Sequence, residues 1–235
     1  GAPVTAVFHT AAVLDDGIVD TATPQRLHTV AAPKSAAAVH LDELTRDLDL
    51  DAFVLFSSVA GITGNAGQGA YGAANAFLDA LAERRRADGL PALSVAWGAW
   101  SGAGLPADNE RAQQRLRRGG MIGMAPELAI EALARALRRG DATTVIADID
   151  WPRFAPAFTL VRRSPLIGDL PEVREATRPL ARESSDAADT AAALARRLTG
   201  LSPAERTAAL LELVRQCAAT ALGYGSPDDI PATPP

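Results

Sequence analysis

Short apolar runs alternate with longer stretches of helical periodicity over the first two thirds of this sequence, and this alternation restricts the fold more than any other feature. Apolar runs predict strands at residues 4–12, 51–58, 93–100 and 143–149. Between these runs, apolar residues at helical spacing predict helices over residues 24–47, 70–86 and 126–139. Strands separated by helices of this length indicate an α/β fold, with a parallel sheet flanked by helices.

A parallel sheet of these strands alone would leave one edge open, and natural folds avoid such an edge because it promotes association. No convincing phosphate-binding glycine loop precedes the run at residues 4–12. The segment Gly67–Gly72 fits the letters of a dinucleotide fingerprint, but a loop separates it from its strand, so we reject it as the phosphate cradle. We therefore expect a nucleotide-binding half that lies elsewhere and pairs with the strand at residues 4–12.

Composition limits the classes of partner and of cofactor. The formal net charge is −5, with 48% hydrophobic and 22% charged residues, which argues against a surface dedicated to nucleic acid or to an anionic membrane. One cysteine, Cys217, and three separated histidines do not form a metal-ligand pattern. There is no apolar stretch of membrane-spanning length. We expect a cytoplasmic chain without a metal.

The composition changes after about residue 160 and suggests three parts. Residues 1–159 form the α/β domain, and residues 160–200 are rich in Pro, Arg, Ser and Ala without periodicity, as in a linker. A new helix begins after residue 201, where Ser202 and Glu205 fit a capping box with a proline at the first helical position.

Six polar residues have the types and the order that ketone reduction requires. Reduction by hydride transfer needs a proton donor at the forming alkoxide, a hydrogen-bond donor to the carbonyl, and a cation that brings the proton donor towards neutral pH. Tyrosine, serine and lysine can do these three tasks, and an ammonium is expected to lower the high pKa of a phenol. The six residues are Asp16, Lys34, Ser58, Gln68, Tyr71 and Asn75.

The sequence around these residues resembles the ketoreductase domains of modular polyketide synthases, a branch of the short-chain dehydrogenase/reductase superfamily. The resemblance covers residues 4–150 and rests on the segments VFHTAAVLDD (7–16), AAPK (31–34), FSSVAG (56–61), GQGAY (67–71), ANAFLDA (74–80) and WGAW (97–100). In most short-chain reductases a lysine stands four residues after the tyrosine. Here Asn75 stands in that place and Lys34 comes from the preceding helix, as in these ketoreductases.

The resemblance implies a role for each of these residues. Tyr71 would be the proton donor, Ser58 would orient the carbonyl, Lys34 would be the cation, and Asn75 would support the hydrogen-bond relay. The hydride would come from NADPH, with Lys34 and Tyr71 facing the cofactor. His9 and Ala11 are the other candidates for cofactor contact, and the Thr10-Ala11-Ala12 segment departs from the family's Ala-Ala-Gly.

The resemblance also implies a stereochemical class. Leu14 and Asp16 belong to a Leu-Asp-Asp triplet like that of B-type ketoreductases, and Thr63 stands where A-type members carry tryptophan. Ala73 occupies the place of a proline that would suggest an epimerising domain. We therefore expect a D-configured β-hydroxyl without α-epimerisation, with Gln68 guiding the phosphopantetheine arm.

The partners implied by the family are an acyl carrier protein with a phosphopantetheine-bound β-ketoacyl chain, the N-terminal ketoreductase portion and neighbouring synthase domains. Residues 107–123 lie where the family has a mobile lid, and residues 201–235 resemble the start of an acyl carrier region without its phosphopantetheine serine. We expect the chain to need the N-terminal portion for activity.

Other interpretations remain open. Taken alone, Ser58 could end a strand, Tyr71 could be a packing residue, and Lys34 could be a solvated helix lysine. His9 could be a packed strand histidine with a satisfied nitrogen rather than a cofactor contact. The whole chain could be a non-catalytic scaffold between synthase domains or part of a free-standing alcohol dehydrogenase. Trp97 and Trp100 are interpreted as core and substrate-wall residues.

Overall fold

The computed structural model describes residues 3–102, 114, 116–160, 164–177 and 194–222. These residues form two compact units. The first unit comprises Gly1–Arg117 and Met121–Ile149, and the second comprises Arg118–Gly120 and Asp150–Pro235.

The first unit contains a parallel sheet, which confirms the α/β fold expected from the sequence. Its strands are β1 (Ala6–His9), β2 (Ala52–Ser58), β3 (Leu93–Trp97) and β5 (Thr143–Ile146). They have the order β1-β2-β3-β5, and every adjacent pair is parallel. Two further short strands, β4 (Met121–Ile122) and β6 (Asp148–Ile149), pair with each other in the antiparallel direction.

The predicted strands are longer than the observed ones at the edges of the sheet. The run at residues 143–149 divides at Ala147, because β6 leaves the parallel sheet and pairs with β4. Ala147 also packs closely on Gly98, where an added Cβ would lie 2.8 Å from the Ala147 Cβ. A side chain at position 98 would therefore force β3 and the start of β6 apart.

Helices connect the strands and cover the sheet. The first crossover is a continuous helix with three parts: α1 (Pro24–Ala31), a π-helical turn (Ala32–Ala36) and α2 (Ala37–Thr45). The π-helical turn contains Pro33, which has no N–H to donate and so interrupts the regular α-helical ladder. The next helices are α3 (Ala60–Thr63), α4 (Gly69–Ala87) and α5 (Pro126–Arg139).

Two apolar clusters form the core of this unit. One lies between the sheet and the helices α2 and α4, and contains Phe53, Leu55 and Leu78, all almost fully buried. The other contains Val54, Val95 and Trp97 from the sheet with Ala129 and Ala136 from α5. Trp97 packs against Phe56 and Trp100, with ring centroids 5.3 and 4.9 Å away, so the prediction of Trp97 as a core residue is confirmed.

The second unit contains further helices: α6 (Trp151–Thr159), α7 (Pro165–Gly168), α8 (171–177), α9 (194–199) and α10 (Pro203–Leu222). The expectation of an aperiodic stretch from residue 160 was wrong for α7 and α8, because Ile167 and Val173 are buried with Ala155 in a small core. Residues 178–193 lie outside the described residues. The division of the chain into parts at residues 160 and 200 stays a prediction.

The helix expected after residue 201 is present. It begins with the predicted capping box, in which the Ser202 N–H donates to Glu205 Oε2 at 2.9 Å and the Glu205 N–H donates to Ser202 Oγ at 3.4 Å. Part of the expected lid over residues 107–123, namely residues 107–113 and 115, lies outside the described residues. Within the part of the chain that is described, no helix has the length and apolar character needed to cross a membrane.

Candidate active site

The four candidate catalytic residues come from three elements that meet at the carboxyl end of β2. Ser58 is the last residue of β2, and Tyr71 and Asn75 lie one turn apart near the start of α4. Lys34 lies in the π-helical turn. Ligands of open parallel sheets bind at the carboxyl ends of the strands, so the fold places these side chains where a substrate would be expected.

Lys34 is a buried cation next to the phenol. Its side chain is almost fully buried, and Nζ donates a hydrogen bond to the Phe56 carbonyl oxygen at 2.8 Å. The same Nζ lies 5.3 Å from the centroid of the Tyr71 ring, in the range of a cation–π contact. Burial lowers the pKa of Lys34 from 10.5 to about 8, and the charge of Asp79 partly opposes this decrease. The ammonium therefore titrates close to physiological pH.

The backbone around Lys34 is anchored by His9. His9 is buried at the end of β1, and its Nε2 donates to the Lys34 carbonyl oxygen at 2.9 Å. A carbonyl oxygen only accepts, so this contact requires the proton on Nε2. His9 is thus a packed strand histidine with a satisfied nitrogen, as one interpretation of the sequence expected. Its role as a cofactor contact stays a prediction.

Tyr71 titrates in the direction opposite to that expected from the sequence. Burial raises its pKa above 10, while hydrogen bonding with the side chains of Ser58 and Asn75 acts to lower it, and the charge of Asp16 raises it further. The expectation that the Lys34 ammonium makes this phenol acidic is therefore not met in this structure. A phenol with a raised pKa is protonated at neutral pH, which is the state that a proton donor needs.

Asn75 joins the tyrosine segment to β2. Asn75 is fully buried, and its Nδ2 donates to the Tyr71 backbone carbonyl oxygen at 2.7 Å. The backbone carbonyl oxygen of Asn75 accepts from Ser57 Oγ at 3.2 Å. Its Oδ1 is buried and has no hydrogen-bond partner among the described residues. A buried acceptor without a partner is costly, and this atom is available to a donor from a bound molecule or water.

The outer residues of the site are linked through two loops. Gln68 Nε2 donates to both carboxylate oxygens of Asp16, at 3.0 and 3.2 Å, and Gln68 Oε1 accepts from Asn65 Nδ2 at 2.8 Å. The backbone is joined as well, because the Gly17 N–H donates to the Gly67 carbonyl oxygen at 2.7 Å. The structure therefore brings Asp16 and Gln68 together, and their role in orienting the substrate stays a prediction.

The remaining predicted residues lie around this group. Leu14 is half-buried, and Ala11 is exposed in the segment after β1. Asp15, next to Asp16, forms an ion pair with Arg26 at 2.6 Å, and the Arg26 side chain also donates to the Asp16 carbonyl oxygen at 2.6 Å. This arginine holds the backbone of the Leu-Asp-Asp triplet against the start of α1.

Sequence reasoning missed three polar residues next to the site, namely Asp79, Ser94 and Ser57. Asp79 lies two turns after Tyr71 on α4, and its Oδ1 accepts from Ser94 Oγ of β3 at 2.6 Å. Ser57 is buried beside Asn75. Tyr71, Asn75 and Asp79 follow one another at intervals of four residues, so these three side chains lie on one face of α4. This spacing is visible in the sequence and could have identified Asp79.

A second sequence feature was also overlooked. Lys34 is the only lysine of the chain, because the other 22 of its 23 basic residues are arginines. An arginine does not lose its proton in proteins, whereas a buried lysine can titrate near neutral pH. Among the lysine and arginine side chains of the sequence, Lys34 is therefore the one that suits a site needing a titratable cation. Among the described residues, no three His, Cys, Asp or Glu side chains are grouped as metal ligands.

Comparison with known proteins gives a consistent family. Residues 1–102 match the family model described as KR domain. The chain is 49% identical over 223 residues to polyketide synthase GfsA of Streptomyces halstedii, covering 95% of this chain and 3% of that protein. It is 42% identical over 233 residues to the pikromycin polyketide synthase component PikAIII of Streptomyces venezuelae, covering 97% of this chain and 15% of that protein.

Solved structures show the same similarity. A structure of A-type ketoreductases from a modular polyketide synthase matches with a TM-score of 0.73 and 50% identity, covering 74% of this chain and 37% of that chain. The first ketoreductase of the tylosin polyketide synthase matches with a TM-score of 0.68 and 53% identity, covering 73% of this chain and 38% of that chain. The chain thus spans a small part of its curated relatives and over a third of these solved chains. Residues 1–102 thus match the KR domain family, and by fold and sequence the chain is similar to the ketoreductases of modular polyketide synthases.

Proposed function

We propose that this chain supplies the catalytic part of a ketoreductase that uses NADPH to reduce a carrier-bound β-ketoacyl thioester to a β-hydroxyacyl thioester. The observation that carries the proposal is the placement of Lys34, a buried ammonium 5.3 Å from the Tyr71 ring, where Tyr71 also interacts with Ser58. A structural lysine would not need to be buried at this position, where desolvation is costly.

The described residues fit the cofactor that this family implies. An ammonium has three N–H donors, and among the described residues the Phe56 carbonyl is the one acceptor that Lys34 Nζ reaches. The remaining donors suit the hydroxyl groups of a nicotinamide ribose. When bound, NADPH supplies the hydride. Lys34 and Tyr71 would hold its ribose end, and His9 and Ala11 remain candidates for contact because they end or follow β1.

The chemical tasks divide between the side chains as follows. The Ser58 hydroxyl donates a hydrogen bond to the substrate carbonyl and orients it. Tyr71, which burial keeps protonated, donates its phenolic proton to the oxygen as negative charge develops there. Lys34 then stabilises the phenolate that forms, since an opposite charge at short range favours the charged phenol. Asn75 fixes the backbone of Tyr71 through the bond from its Nδ2.

We further propose that the product is a D-configured β-hydroxyl without α-epimerisation, as in B-type domains. The support is the Asp16–Gln68 hydrogen bond, which holds the Leu-Asp-Asp triplet beside the loop that leads to Tyr71. Thr63 and Ala73 also have the residue types expected for this class. Overall identity does not decide the subtype, because a relative of 50% identity is an A-type ketoreductase. Chiral chromatography of the product tests the assignment, and an L-hydroxyl product would contradict it.

We infer that the carrier protein, the neighbouring synthase domains and an N-terminal ketoreductase portion are the partners of this chain. The support for the N-terminal portion is β1, which among the described strands pairs with β2 alone and leaves Phe8 half exposed. We expect no NADPH-dependent reduction by residues 1–235 alone, and reduction when the polypeptide is extended upstream of Gly1.

The central test is substitution of the proton donor. In the extended polypeptide, Tyr71→Phe is expected to lower kcat for reduction of a β-ketoacyl N-acetylcysteamine thioester by about 10³-fold, because it removes the acid and leaves the ring. NADPH oxidation at 340 nm measures the rate. Tyr224→Phe, on the other tyrosine of the chain, is the matched control and should leave the rate unchanged. A Tyr71→Phe enzyme with undiminished kcat would exclude this assignment.

A further inference from the structure

A carboxylate that the proposed mechanism does not use lies behind the catalytic residues. Asp79 is half-buried on α4, on the same helix face as Tyr71 and Asn75. It lines a groove of about 530 Å³ between α4 and the strands β3 and β5. Its Oδ1 accepts a 2.6 Å hydrogen bond from Ser94 of β3, so the carboxylate is held in one orientation.

Lys34 needs a negative charge near it. The residue is almost fully buried, and among the described residues Nζ donates its hydrogen bond to the Phe56 carbonyl, which is a neutral group. Removing an ammonium from water is costly unless an opposite charge compensates it. Burial has already lowered the pKa of Lys34 to about 8, so a further decrease would discharge the group at neutral pH.

Strand register and hydrogen bonds connect the two groups. Ser94, which donates to Asp79, lies opposite Leu55 of β2. The next residue of β2, Phe56, accepts the hydrogen bond from Lys34 Nζ. Asp79 is the acidic side chain whose charge raises the pKa of Lys34, and Lys34 in turn lowers the pKa of Asp79. Burial nevertheless raises the pKa of Asp79 overall, against the hydrogen bonds from Ser94 and Ser57. The other titratable groups around the pair lie on α4, on β1 and along the groove: Tyr71, Glu83, His9, Arg139 and Asp141.

We propose that Asp79 is a positioning residue of this site: its carboxylate, held by the Ser94 hydroxyl between α4 and β3, is the countercharge that keeps the Lys34 ammonium charged beside Tyr71. The proposal rests on the proposed ketoreductase function for its effect on rate. Its electrostatic content, the coupling of Asp79 to Lys34, stands independently of that function.

The first test measures the charge of Lys34 directly. Because Lys34 is the only lysine of the chain, ¹³C-lysine labelling gives one side-chain signal, whose Cε shift can be followed against pH. Asp79→Asn keeps the shape of the side chain and removes the charge, so we expect the titration midpoint to move to lower pH by about one unit. Glu83→Gln, one turn further along the same groove, is the matched control and should leave the midpoint in place. An unchanged midpoint in Asp79→Asn would overturn the proposal.

The second test measures the consequence for catalysis in the extended polypeptide. Reduction requires the charged lysine, so the rate falls as the pH rises through the Lys34 titration. In Asp79→Asn this basic limb should move to lower pH, with a loss of about fivefold in kcat at pH 8 and little loss at pH 6. A purely structural role of Asp79 would lower kcat equally at both pH values, and that result would count against the proposal.

A second pair of variants keeps the test decisive if Asp79→Asn does not fold. Asp79→Glu retains a carboxylate and Asp79→Gln replaces it with an amide of the same length. We expect the Lys34 titration midpoint to stay at the higher pH in the glutamate variant and to move to lower pH in the glutamine variant. Equal midpoints in the two variants would refute the proposal that Asp79 is the countercharge of Lys34. If the unaltered enzyme shows no reduction at all, the function fails, while the lysine titration still decides the role of Asp79.

Discussion

Lys34 keeps its ammonium where water does not reach it, since the residue is 2% exposed, and burial lowers its pKa to about 8. The folded state therefore binds this proton less tightly than the unfolded state, where the pKa is 10.5. Between these two values the unfolded chain carries more protons, so the free energy of unfolding rises with pH. At neutral pH the buried charge of Lys34 therefore lowers the free energy of unfolding. This loss of stability accompanies the placement of an ammonium beside Tyr71.

This reasoning predicts that Lys34→Met stabilises the protein at pH 7. The gain should be about 3 kcal/mol, from the difference between the two pKa values at about 1.4 kcal/mol per unit, and it should vanish by about pH 10.5. The midpoint of urea unfolding, compared between the variant and the unaltered chain at several pH values, measures it. A variant that is less stable at pH 7 would show that the ammonium is well compensated.

At the residue scale the sequence predicted which polar side chains lie together, but not their electrostatics. Ser58, Tyr71 and Lys34 were predicted because their types and order fit the chemistry, and the structure brings them together. The direction of the Tyr71 pKa was not predictable, since it depends on how deeply the fold buries the ring. Asp79 was missed because an acidic residue in a helix is usually exposed.

The helix that carries Lys34 is fixed to its neighbours by buried polar contacts. The His9 ring anchors the π-helical turn through the Lys34 carbonyl. Further along, Asp42 of α2 is 1% exposed and accepts hydrogen bonds from Arg85 at 2.5 Å and from Arg84 at 2.6 Å, both on α4. The Arg85 guanidinium also stacks over the Phe53 ring at 4.0 Å. These contacts join α2 to α4, the two helices on which the lysine and the tyrosine depend.

Asp42→Asn should therefore be strongly destabilising. The substitution leaves the fully buried Arg85 without its opposite charge, and such a loss costs about 3–5 kcal/mol. Asp88→Asn is the matched control, because Asp88 pairs with Arg46 at the surface, where an ion pair contributes less than about 1 kcal/mol. Urea unfolding at pH 7 compares the two variants. Equal losses would mean that the buried pair contributes no more than a surface pair.

Element boundaries were predictable where the end signals are strong. The helix over residues 126–139 begins at a proline in the first helical position and ends before Gly140, whose φ of 74° only glycine adopts readily, and the prediction is confirmed. Pro33 within a helical stretch indicates a break in the ladder, yet it does not specify a π-helical turn. The helices α7 and α8 were missed because one turn or two gives too little periodicity in a proline-rich segment.

In the sheet as a whole, the two edge strands expose similar apolar side chains but differ in whether further strands are expected to pair with them. β1 and β5 form the edges, and each carries a large apolar side chain that is half exposed, Phe8 at 51% and Val145 at 52%. Only β1 lies on the side where the first strands of a nucleotide-binding half are expected. The parallel sheet was predictable from the sequence, whereas the strand order and the edge positions required the structure.

This difference predicts how NADPH binding depends on the two edges. A polypeptide extended upstream of Gly1 should bind NADPH at least about tenfold more tightly than residues 1–235, a difference of about 1.4 kcal/mol. Within the extended polypeptide, Phe8→Arg should weaken binding because it places a charge at the expected strand contact, while Val145→Arg on the opposite edge should not. Fluorescence titration of NADPH measures both. Equal binding by the two variants would argue against strand pairing at β1.

The link between the Gly17 and Gly67 backbones has a consequence for engineering. Because the segment that carries Asp16 and the segment that carries Gln68 share this bond and the side-chain contact beside it, neither is an independent module. Transplanting one of them from a homologue could remove a partner of the side-chain contact and shift the backbone that forms the other bond. Chimeras meant to invert product handedness should therefore exchange both segments at once.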